Sequence, residues 1–150
     1  MNDLDNILTG LVTINGKDIW SEFNAFLTEK DYAHVNMDAL MRKATAKDVT
    51  SVDFRERDGV QLPANINIKL KAIERTLQFA IITEYEVERL NKYKDFVKML
   101  TEGKLEVYIK NYGTYRMIYQ DMPSNPEWYR CFSGHYATIF TIKFLDYEPF

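Results

Sequence analysis

A long amphipathic segment near the middle of the sequence limits the possible folds more than any other feature. Apolar residues recur along it at helical spacing, which predicts one helix with an apolar stripe wide enough to lie on a sheet. The stripe consists of Val87, Leu90, Tyr93, Phe96, Val97 and Leu100. Gly103 can provide the left-handed residue that ends such a helix. We expect about 18 helical residues, which span roughly 27 Å.

Two local motifs predict where this helix begins. Thr83 is placed to act as the N-cap, and Glu86 three residues later completes a capping box. Ile82 and Val87 occupy the two positions of a hydrophobic staple around that cap. Acidic residues come early in the segment and lysines later, which is the order that the helix dipole favours. The sequence therefore predicts a helix that is entered at Thr83.

Strands are predicted after the helix. Apolar residues alternate in residues 105–109 and 115–119, on either side of Asn111-Tyr112-Gly113, which indicates a hairpin. A further strand is predicted at residues 128–132, and the clearest alternation in the chain covers residues 136–144. We expect this last strand to bury one common face. That face contains Tyr136, Phe140, Ile142 and Phe144, with Thr138 near an edge.

Strands are also predicted before the helix, with less regular connections. Asn15-Gly16 is the strongest two-residue turn signal and predicts a hairpin of residues 11–14 and 17–20. Residues 21–27 fit either a strand end or a helical turn. Residues 28–47 are predicted to form a long loop that contains a short helical turn.

The segment between that loop and the helix predicts two further strands. Residues 49–55 have strand character and lead into the turn triplet Arg57-Asp58-Gly59. Apolar residues then alternate with one parity in residues 66–72 and with the opposite parity in residues 73–81. A bulge or bend near Ala72 would account for this change of register.

Composition restricts the class of protein. The chain has 150 residues, of which 46% are hydrophobic, so we expect one domain that spans residues 1–150. Its predicted fold is α+β, mostly an antiparallel β-sandwich with one long helix packed against it. The net charge of −3 argues against a protein that grips nucleic acid through its phosphates. The single cysteine, Cys131, excludes an intrachain disulfide and favours a reducing compartment. We expect neither a signal peptide nor a membrane-spanning segment.

No combination of residues specifies catalysis or metal binding. His34 and His135 lack a second ligand at the spacing of a helical metal site. Cys131 lies near His135 in sequence, but a small buried apolar residue explains it better than a nucleophile. The acidic groups fit solvated faces or caps better than a glycosidase dyad. They are Asp53 with Glu56, Glu84 with Glu86 and Glu88, and Asp146 with Glu148. We therefore expect no catalytic, cofactor-binding or metal site.

Tyrosine is the unusual enrichment, with 10 residues in the chain. Tyrosine and tryptophan are typical of sugar-binding platforms and of protein interfaces, but they also form aromatic pairs across strands. Six of the tyrosines fall in or beside predicted strands: Tyr108, Tyr112, Tyr115, Tyr119, Tyr129 and Tyr136. The sequence leaves these explanations open.

Several local features of the chain, taken in order, point to a family. Residues 52–61, VDFRERDGVQ, predict a strand that runs into an Arg-Asp-Gly turn, and residues 74–79, ERTLQF, lie in a long apolar strand. The helix ends in LTEGKL at residues 100–105, where a strand follows at once. Residues 112–119 form a tyrosine-rich strand, and residues 140–149 form a closing strand before a proline. In the order and type of these features the chain resembles the distal tail proteins of long-tailed phages, whose N-terminal domain shares a fold with phage tail-tube proteins.

The resemblance covers roughly residues 48–150 and implies a non-enzymatic structural protein of a phage or prophage tail. Such proteins form rings, usually hexameric, that join the tail tube to the baseplate or tip and leave a lumen for DNA. The implied partners are copies of the chain and the neighbouring tail-tube and baseplate proteins, with DNA only as passing cargo and no membrane. The implied location is the virion tail, after assembly in the bacterial cytoplasm. An acidic lumen would repel phosphates and let DNA slide.

Two further expectations concern binding and assembly. Many members of that family have a second, C-terminal domain that can bind carbohydrate, whereas this chain ends at Phe150, so we do not expect receptor binding by that route. In a ring we expect residues 28–47 and a sheet edge to make head-to-tail contacts, because long loops and open edges both need cover. The alternative function is a small carbohydrate- or ligand-binding β-sandwich that uses Trp20, Trp128 and the tyrosines as stacking platforms. An enzyme with an acid pair has the least support.

Overall fold

The described residues form one antiparallel sheet and four helices. The computed structural model describes residues 2–29, 34–47, 68–131 and 133–149. The helices are α1 (Asn2–Leu8), α2 (Ile19–Phe23), α3 (Val35–Met41) and α4 (Glu86–Leu100). The strands are β1 (Val12–Ile14), β2 (Lys17–Asp18), β3 (Ala25–Leu27), β4 (Ile73–Thr83), β5 (Leu105–Ile109), β6 (Gly113–Asp121), β7 (Glu127–Arg130) and β8 (Tyr136–Asp146).

Strand β8 organises the sheet. The described strands are ordered β2-β1-β5-β6-β8-β4-β3, and β7 pairs with β8 as a branch. One edge of β8 pairs along its full length with β4, from Tyr136 opposite Thr83 to Asp146 opposite Ile73. The other edge is shared between β7, at the N-terminal half of β8, and β6, at its C-terminal half. The sheet curls into a half-barrel.

The predicted antiparallel pairing is confirmed, but the predicted sandwich is not. Because β8 forms hydrogen bonds on both edges, it joins the strands into one curled sheet instead of two separate layers. The description "one long helix" is also incomplete. The 15-residue helix α4 does pack on β4 and β8, but the described residues include three shorter helices as well.

Aromatic rings fill the space between α4 and the sheet. The ring centroid of Phe96 on α4 lies 5.3 Å from that of Phe79 and 5.9 Å from that of Phe140. Phe23 on α2 approaches the same ring at 5.4 Å, and Phe144 lies 6.2 Å from Phe79. All five side chains are buried. Fully burying one such ring contributes about 1.5–3 kcal/mol, so this cluster is the main attachment of α4.

The predicted start of α4 is wrong. The helix begins at Glu86, and its N-cap is Tyr85, whose side chain makes no capping hydrogen bond. Thr83 is instead the buried last residue of β4, paired with Tyr136, and its Oγ1 donates to the carbonyl oxygen of Tyr85 over 2.8 Å. Val87 is 70% exposed, so it does not form the predicted staple. Pairing with β8 keeps Thr83 in a strand conformation and moves the start of the helix two residues along the chain.

The apolar face of α4 also differs from the prediction in its first two turns. Phe96 and Leu100 are buried as expected, and Met99 is buried with them, whereas Val87 and Leu90 are exposed. The helix ends at Leu100, so it is shorter than predicted. Gly103 has a φ of 144° and lies two residues beyond the C-cap, so it shapes the following turn and does not cap the helix.

Both predicted hairpins are present. Asn15 and Gly16 have φ values of 51° and 81°, the positive values that a type I′ turn requires between β1 and β2. The turn between β5 and β6 contains Asn111 at φ 72°. The first hairpin is shorter than predicted, because α2 begins at Ile19. Residues 21–27, left open by the sequence, contain the end of α2 and all of β3, with a left-handed Asn24 between them.

The predicted register of β8 is confirmed. Phe140, Ile142 and Phe144 are buried, Tyr136 is half-buried, and the intervening side chains are more exposed. Thr138 was expected near an edge but is fully buried, because β7 pairs with β8 at this position. The Oγ1 atom of Thr138 donates to the carbonyl oxygen of Glu127 over 2.9 Å.

The change of apolar parity near Ala72 marks the beginning of β4 at Ile73, so the predicted bulge is not present there. The strand predicted at residues 128–132 is β7, displaced by one residue at its start. The short helical turn predicted within residues 28–47 is the seven-residue helix α3. The strand and turn predicted at residues 49–59 lie outside the described residues.

Candidate assembly surfaces

Arg89 attaches the edge strand β7 to α4. Its guanidinium carbon lies 5.0 Å from the ring centroid of Trp128 and 5.4 Å from that of Tyr136. The Nη1 atom also donates to the carbonyl oxygens of Tyr129, at 3.0 Å, and Ala137, at 3.1 Å. Cation–π contacts of this kind contribute about 0.5–2 kcal/mol each. This single side chain therefore fixes β7 and the beginning of β8 beneath the helix.

Apolar side chains remain exposed on the same side of the molecule. Trp128 packs edge-on against Tyr93 at 5.3 Å, yet 43% of its surface is exposed. Val87, Leu90 and Tyr93 follow each other at intervals of three residues, which makes them neighbours along the helix surface. Tyr85 is also exposed at the entry to the helix. We call the group of Tyr85, Val87, Leu90 and Trp128, with the adjoining Glu84, Glu86 and Glu88, the α4 face.

The α4 face adjoins an open edge of the sheet. β7 pairs with β8 on one side, and no described strand pairs with its other side. All four residues of β7 are exposed. An edge strand with exposed aromatic residues is a template for pairing with another chain unless something covers it. This combination makes the region a candidate contact surface.

Helix α3 is held against the chain itself, although the sequence indicated a loop in need of a partner. At its N-terminus the backbone N–H groups of Val35 and Asn36 donate to the two carboxylate oxygens of Glu29, at 2.8 and 2.7 Å. Asn36 also pairs with the β4 backbone: its Oδ1 accepts from the Gln78 N–H at 2.6 Å, and its Nδ2 donates to the Gln78 carbonyl oxygen at 3.1 Å. The Gln78 carbonyl oxygen also accepts from the N–H of Thr28 at 3.0 Å, so the amide of Asn36 adds to the pairing of β4 just beyond the end of β3.

The C-terminus of α3 is held by a buried ion pair. The Nε atom of Arg75 lies 2.9 Å from Oδ2 of Asp146, and both side chains are almost completely buried. The Nη1 atom of Arg75 donates to the carbonyl oxygens of Ala39, at 2.6 Å, and Arg42, at 2.8 Å. These carbonyls are left unpaired at a helix end and favour a positive charge. One arginine therefore serves both the sheet and the helix.

Tyr115 completes this polar group from β6. Its hydroxyl donates to the carbonyl oxygen of Leu40 at 3.1 Å, and the guanidinium of Arg75 lies 5.1 Å from its ring. Burial raises the pKa of the Tyr115 hydroxyl above its ordinary value of 10.0, and the nearby Asp146 raises it further, against the opposing effect of Arg75. Burial likewise raises the pKa of Tyr93, with a smaller contribution from Tyr119.

The sequence interpretation missed the ion pair of Arg75 and Asp146, although it contained a signal. Arg75 shares the inward parity of Ile73 and Leu77 on β4, and Asp146 shares that of Phe144 on β8. Two opposite charges at inward positions of predicted strands indicate a buried pair, because neither charge is stable alone in a core.

The described residues that were considered for chemistry do not come together, and the acid pair of Asp53 and Glu56 lies outside the described residues. His34 is the exposed residue before α3, and His135 lies 2.8 Å from the Ser133 hydroxyl in an exposed turn. The Cys131 N–H donates to the carbonyl oxygen of His135, a backbone contact only. The carboxylate of Asp146 forms an ion pair with Arg75 and is not available as a catalytic acid. Within the described ranges no group of three His, Cys, Asp or Glu side chains is arranged to hold a metal ion.

The aromatic residues do not form one platform in the described structure. Trp20 is buried, and its Nε1 donates to Asp5 Oδ1 at 2.7 Å, whereas Trp128 is exposed on β7. Tyr115 is a core residue, while Tyr108 and Tyr129 are exposed on different strands. The tyrosine enrichment therefore serves several positions of the sheet and not a single stacking surface.

An apolar cleft opens between β1 and β3, with a volume of about 210 Å³. Leu11, Phe26 and Tyr112 are among its lining residues, and Leu27, Ile109 and Tyr112 also line a second cleft of about 280 Å³ beside α3. Each volume lies below the roughly 300–1,000 Å³ of typical ligand sites.

Comparison with known proteins identifies a fold. No family model and no curated protein matches the sequence. Among solved structures the chain is similar to the Dit (gp 19.1) protein of phage SPP1, with a TM-score of 0.50 and 12% sequence identity. The fold is Dit-like. The similarity covers 93% of this chain and 50% of the SPP1 protein, so the chain spans about half the length of that relative.

The SPP1 Dit protein is described as a paradigm of the hub of the adsorption apparatus in phages that infect Gram-positive bacteria. At 12% identity this likeness concerns the fold alone. The resemblance inferred from the sequence is therefore confirmed at the level of a Dit-like fold. None of the helices in the described part of the chain is long and apolar enough to cross a membrane.

Proposed function

We propose that this chain is a structural component of a phage or prophage tail. In this role it forms a ring with copies of itself and joins the tail tube to the baseplate or tip. The number of copies, six, is taken by analogy with the family that the sequence resembles. The observation that carries the proposal is the Dit-like fold, which extends over 93% of the chain. The role is non-enzymatic and requires no cofactor or metal.

Two surface features support assembly with other chains. The open edge of β7 and the exposed apolar residues of the α4 face lie side by side. A bound protein would pair the unpaired backbone groups of the edge and remove the apolar residues from water. The Arg89 contacts hold this surface in place before any partner arrives. A preformed surface loses less conformational entropy on binding than a mobile one.

The remaining parts of the proposal follow from the tail role. The partners are copies of the chain and neighbouring tail-tube and baseplate proteins, and DNA passes through the lumen without specific contacts. The net charge of −3 fits such a passage, because like charges repel and the DNA backbone is not retained. The whole chain acts as one domain, is assembled in the bacterial cytoplasm and resides in the virion tail.

Electron microscopy of the purified chain, alone and mixed with the adjacent tail-tube protein, tests this function. We expect ring-shaped particles with a central channel, formed by the chain itself or templated by its neighbour. Uniform small particles under both conditions would contradict the proposal.

The carbohydrate-binding alternative retains one favourable observation. Trp128 and Tyr129 are both exposed on β7, and an exposed aromatic ring can stack on a sugar, although consecutive strand residues face opposite sides. The burial of Trp20 removes the second half of the proposed platform. Glycan-array binding by a monomeric protein, lost in Trp128→Ala, would favour this alternative over the tail role.

A further inference from the structure

A basic pair of antiparallel segments lies next to the beginning of β4. Residues 42–47 and 68–72 run antiparallel, joined by the bridge between Ala46 and Leu70. The Lys47 N–H donates to the Lys69 carbonyl oxygen at 2.7 Å, and the Lys71 N–H donates to the Thr45 carbonyl oxygen at 2.8 Å. We call these two segments the basic stem.

The basic stem concentrates positive charge around exposed apolar residues. Its five cations are Arg42, Lys43, Lys47, Lys69 and Lys71, all exposed, and its segments contain no acidic residue. No ion pair joins these cations to a carboxylate among the residues that the structure describes. Met41 and Ile68 are more than half exposed beside them. A surface with this charge favours an acidic partner.

The α4 face has the opposite charge around a similar apolar centre. Glu84, Glu86 and Glu88 alternate there with the exposed Tyr85 and Val87. Among the described residues, the cation that forms an ion pair with them is Arg89, 3.9 Å from Glu86, and Arg89 is largely buried under β7. Acidic residues at a helix start also offset the helix dipole, but that role does not account for the apolar residues between them. The negative charge of the α4 face is therefore complementary to the positive charge of the basic stem, and both surfaces have exposed apolar residues to bury.

The two surfaces lie at opposite ends of the same strand. The basic stem leads into β4 at Ile73, and the α4 face follows β4 after Thr83. An 11-residue strand separates its ends by roughly 33 Å at about 3.3 Å per residue. Ion pairs across such a distance are fully screened, since the Debye length is about 8 Å at physiological ionic strength. The two surfaces can therefore meet only between different copies of the chain.

We propose that the basic stem of one copy docks on the α4 face of the next copy. This inference rests on the proposed self-assembly and identifies the two surfaces that are in contact between neighbouring copies. The contact joins two different surfaces, so it is heterologous, and repetition of it closes a ring when the rotation between copies permits. The apolar residues Met41 and Ile68 would then be covered by Val87, Leu90 and Trp128, with the charges at the rim.

Charge reversal on the full chain tests the contact. The stem variant carries Lys69→Glu and Lys71→Glu, the face variant carries Glu84→Lys and Glu86→Lys, and a control carries Lys17→Glu with Lys110→Glu at exposed sites elsewhere. Mass is measured against concentration, after circular dichroism has verified that each variant is folded. We expect self-association of the stem and face variants to weaken about 100-fold, whereas the control keeps the wild-type mass.

Mixing the two variants gives the sharper result. A negative stem fits a positive α4 face, so an equimolar mixture of stem and face variants is expected to recover the wild-type mass. Wild-type association should also weaken as salt is raised. If wild type associates but the stem variant associates equally well, or the mixture does not recover, this docking is wrong while self-assembly stands. If wild type stays monomeric alone and with the adjacent tail protein, both proposals fail.

Discussion

Replacing Arg75 by methionine should destabilise the protein by about 3–5 kcal/mol. The substitution keeps much of the side-chain volume but leaves the carboxylate of Asp146 buried without its partner, and breaking one side of a buried ion pair costs this much. It also removes the hydrogen bonds to the carbonyl oxygens of Ala39 and Arg42 at the end of α3. The loss is a large share of the about 5–15 kcal/mol that keeps a domain folded.

A second ion pair between the same two strands provides the control. Lys143 Nζ lies 3.1 Å from Glu74 Oε2, but both side chains are partly exposed. Exposed pairs contribute about 0–1 kcal/mol, so Lys143→Met should change stability little. Urea unfolding of both variants measures the difference in free energy, and hydrogen exchange locates its effect. We expect the amides of α3 to lose protection selectively in Arg75→Met.

Two results would refute this reasoning. A loss below about 1 kcal/mol for Arg75→Met would mean that the buried pair adds little beyond a surface pair. Unchanged protection of α3 would mean that Arg75 does not anchor the helix. The double variant Arg75→Met with Asp146→Leu should recover most of the stability, because replacing both charges by apolar groups leaves no unpaired charge in the core.

Three further predictions concern the same elements. Thr83→Val should lower the thermal midpoint, equivalent to about 1 kcal/mol, because it removes the hydrogen bond to Tyr85, and an unchanged midpoint would contradict that role. The pKa of Tyr115 is raised by burial, so its contribution to stability is complete below pH 10 and declines as the pH rises above 10. Urea titrations should show a smaller decline above pH 10 in Tyr115→Phe. Glu29→Ala should increase hydrogen exchange at the first turn of α3, since that carboxylate accepts from two of its N–H groups, and equal exchange would exclude the cap.

Patterns that depend on neighbouring residues were predicted well. The turn at Asn15-Gly16 was identified because few residues other than Asn and Gly adopt two successive positive φ values. The buried face of β8 was identified because alternation along a strand directly gives the two faces. Both features are properties of short segments, so tertiary contacts changed only their lengths.

Features that depend on distant pairing were not predicted. Thr83 and Glu86 match the capping-box pattern of a helix start, but Thr83 is a strand residue that pairs with β8. Val87 and Leu90 have the spacing of a buried stripe, but the curled sheet covers only the later turns of α4. Trp128 and β7 form the candidate surface because Arg89 contacts them, and Arg89 lies outside the predicted apolar stripe of α4. Local propensity could not identify these residues, since each depends on which strands meet.

The mass of the full chain in solution, measured by light scattering across concentrations, tests the central claim most directly. The measurement is made on the chain alone and again with the adjacent tail protein. We expect the mass to rise from that of the monomer, 17.7 kDa, to a fixed multiple that does not increase further, because a heterologous contact that closes has no free ends. A mass that remains at 17.7 kDa under both conditions would contradict the proposed ring.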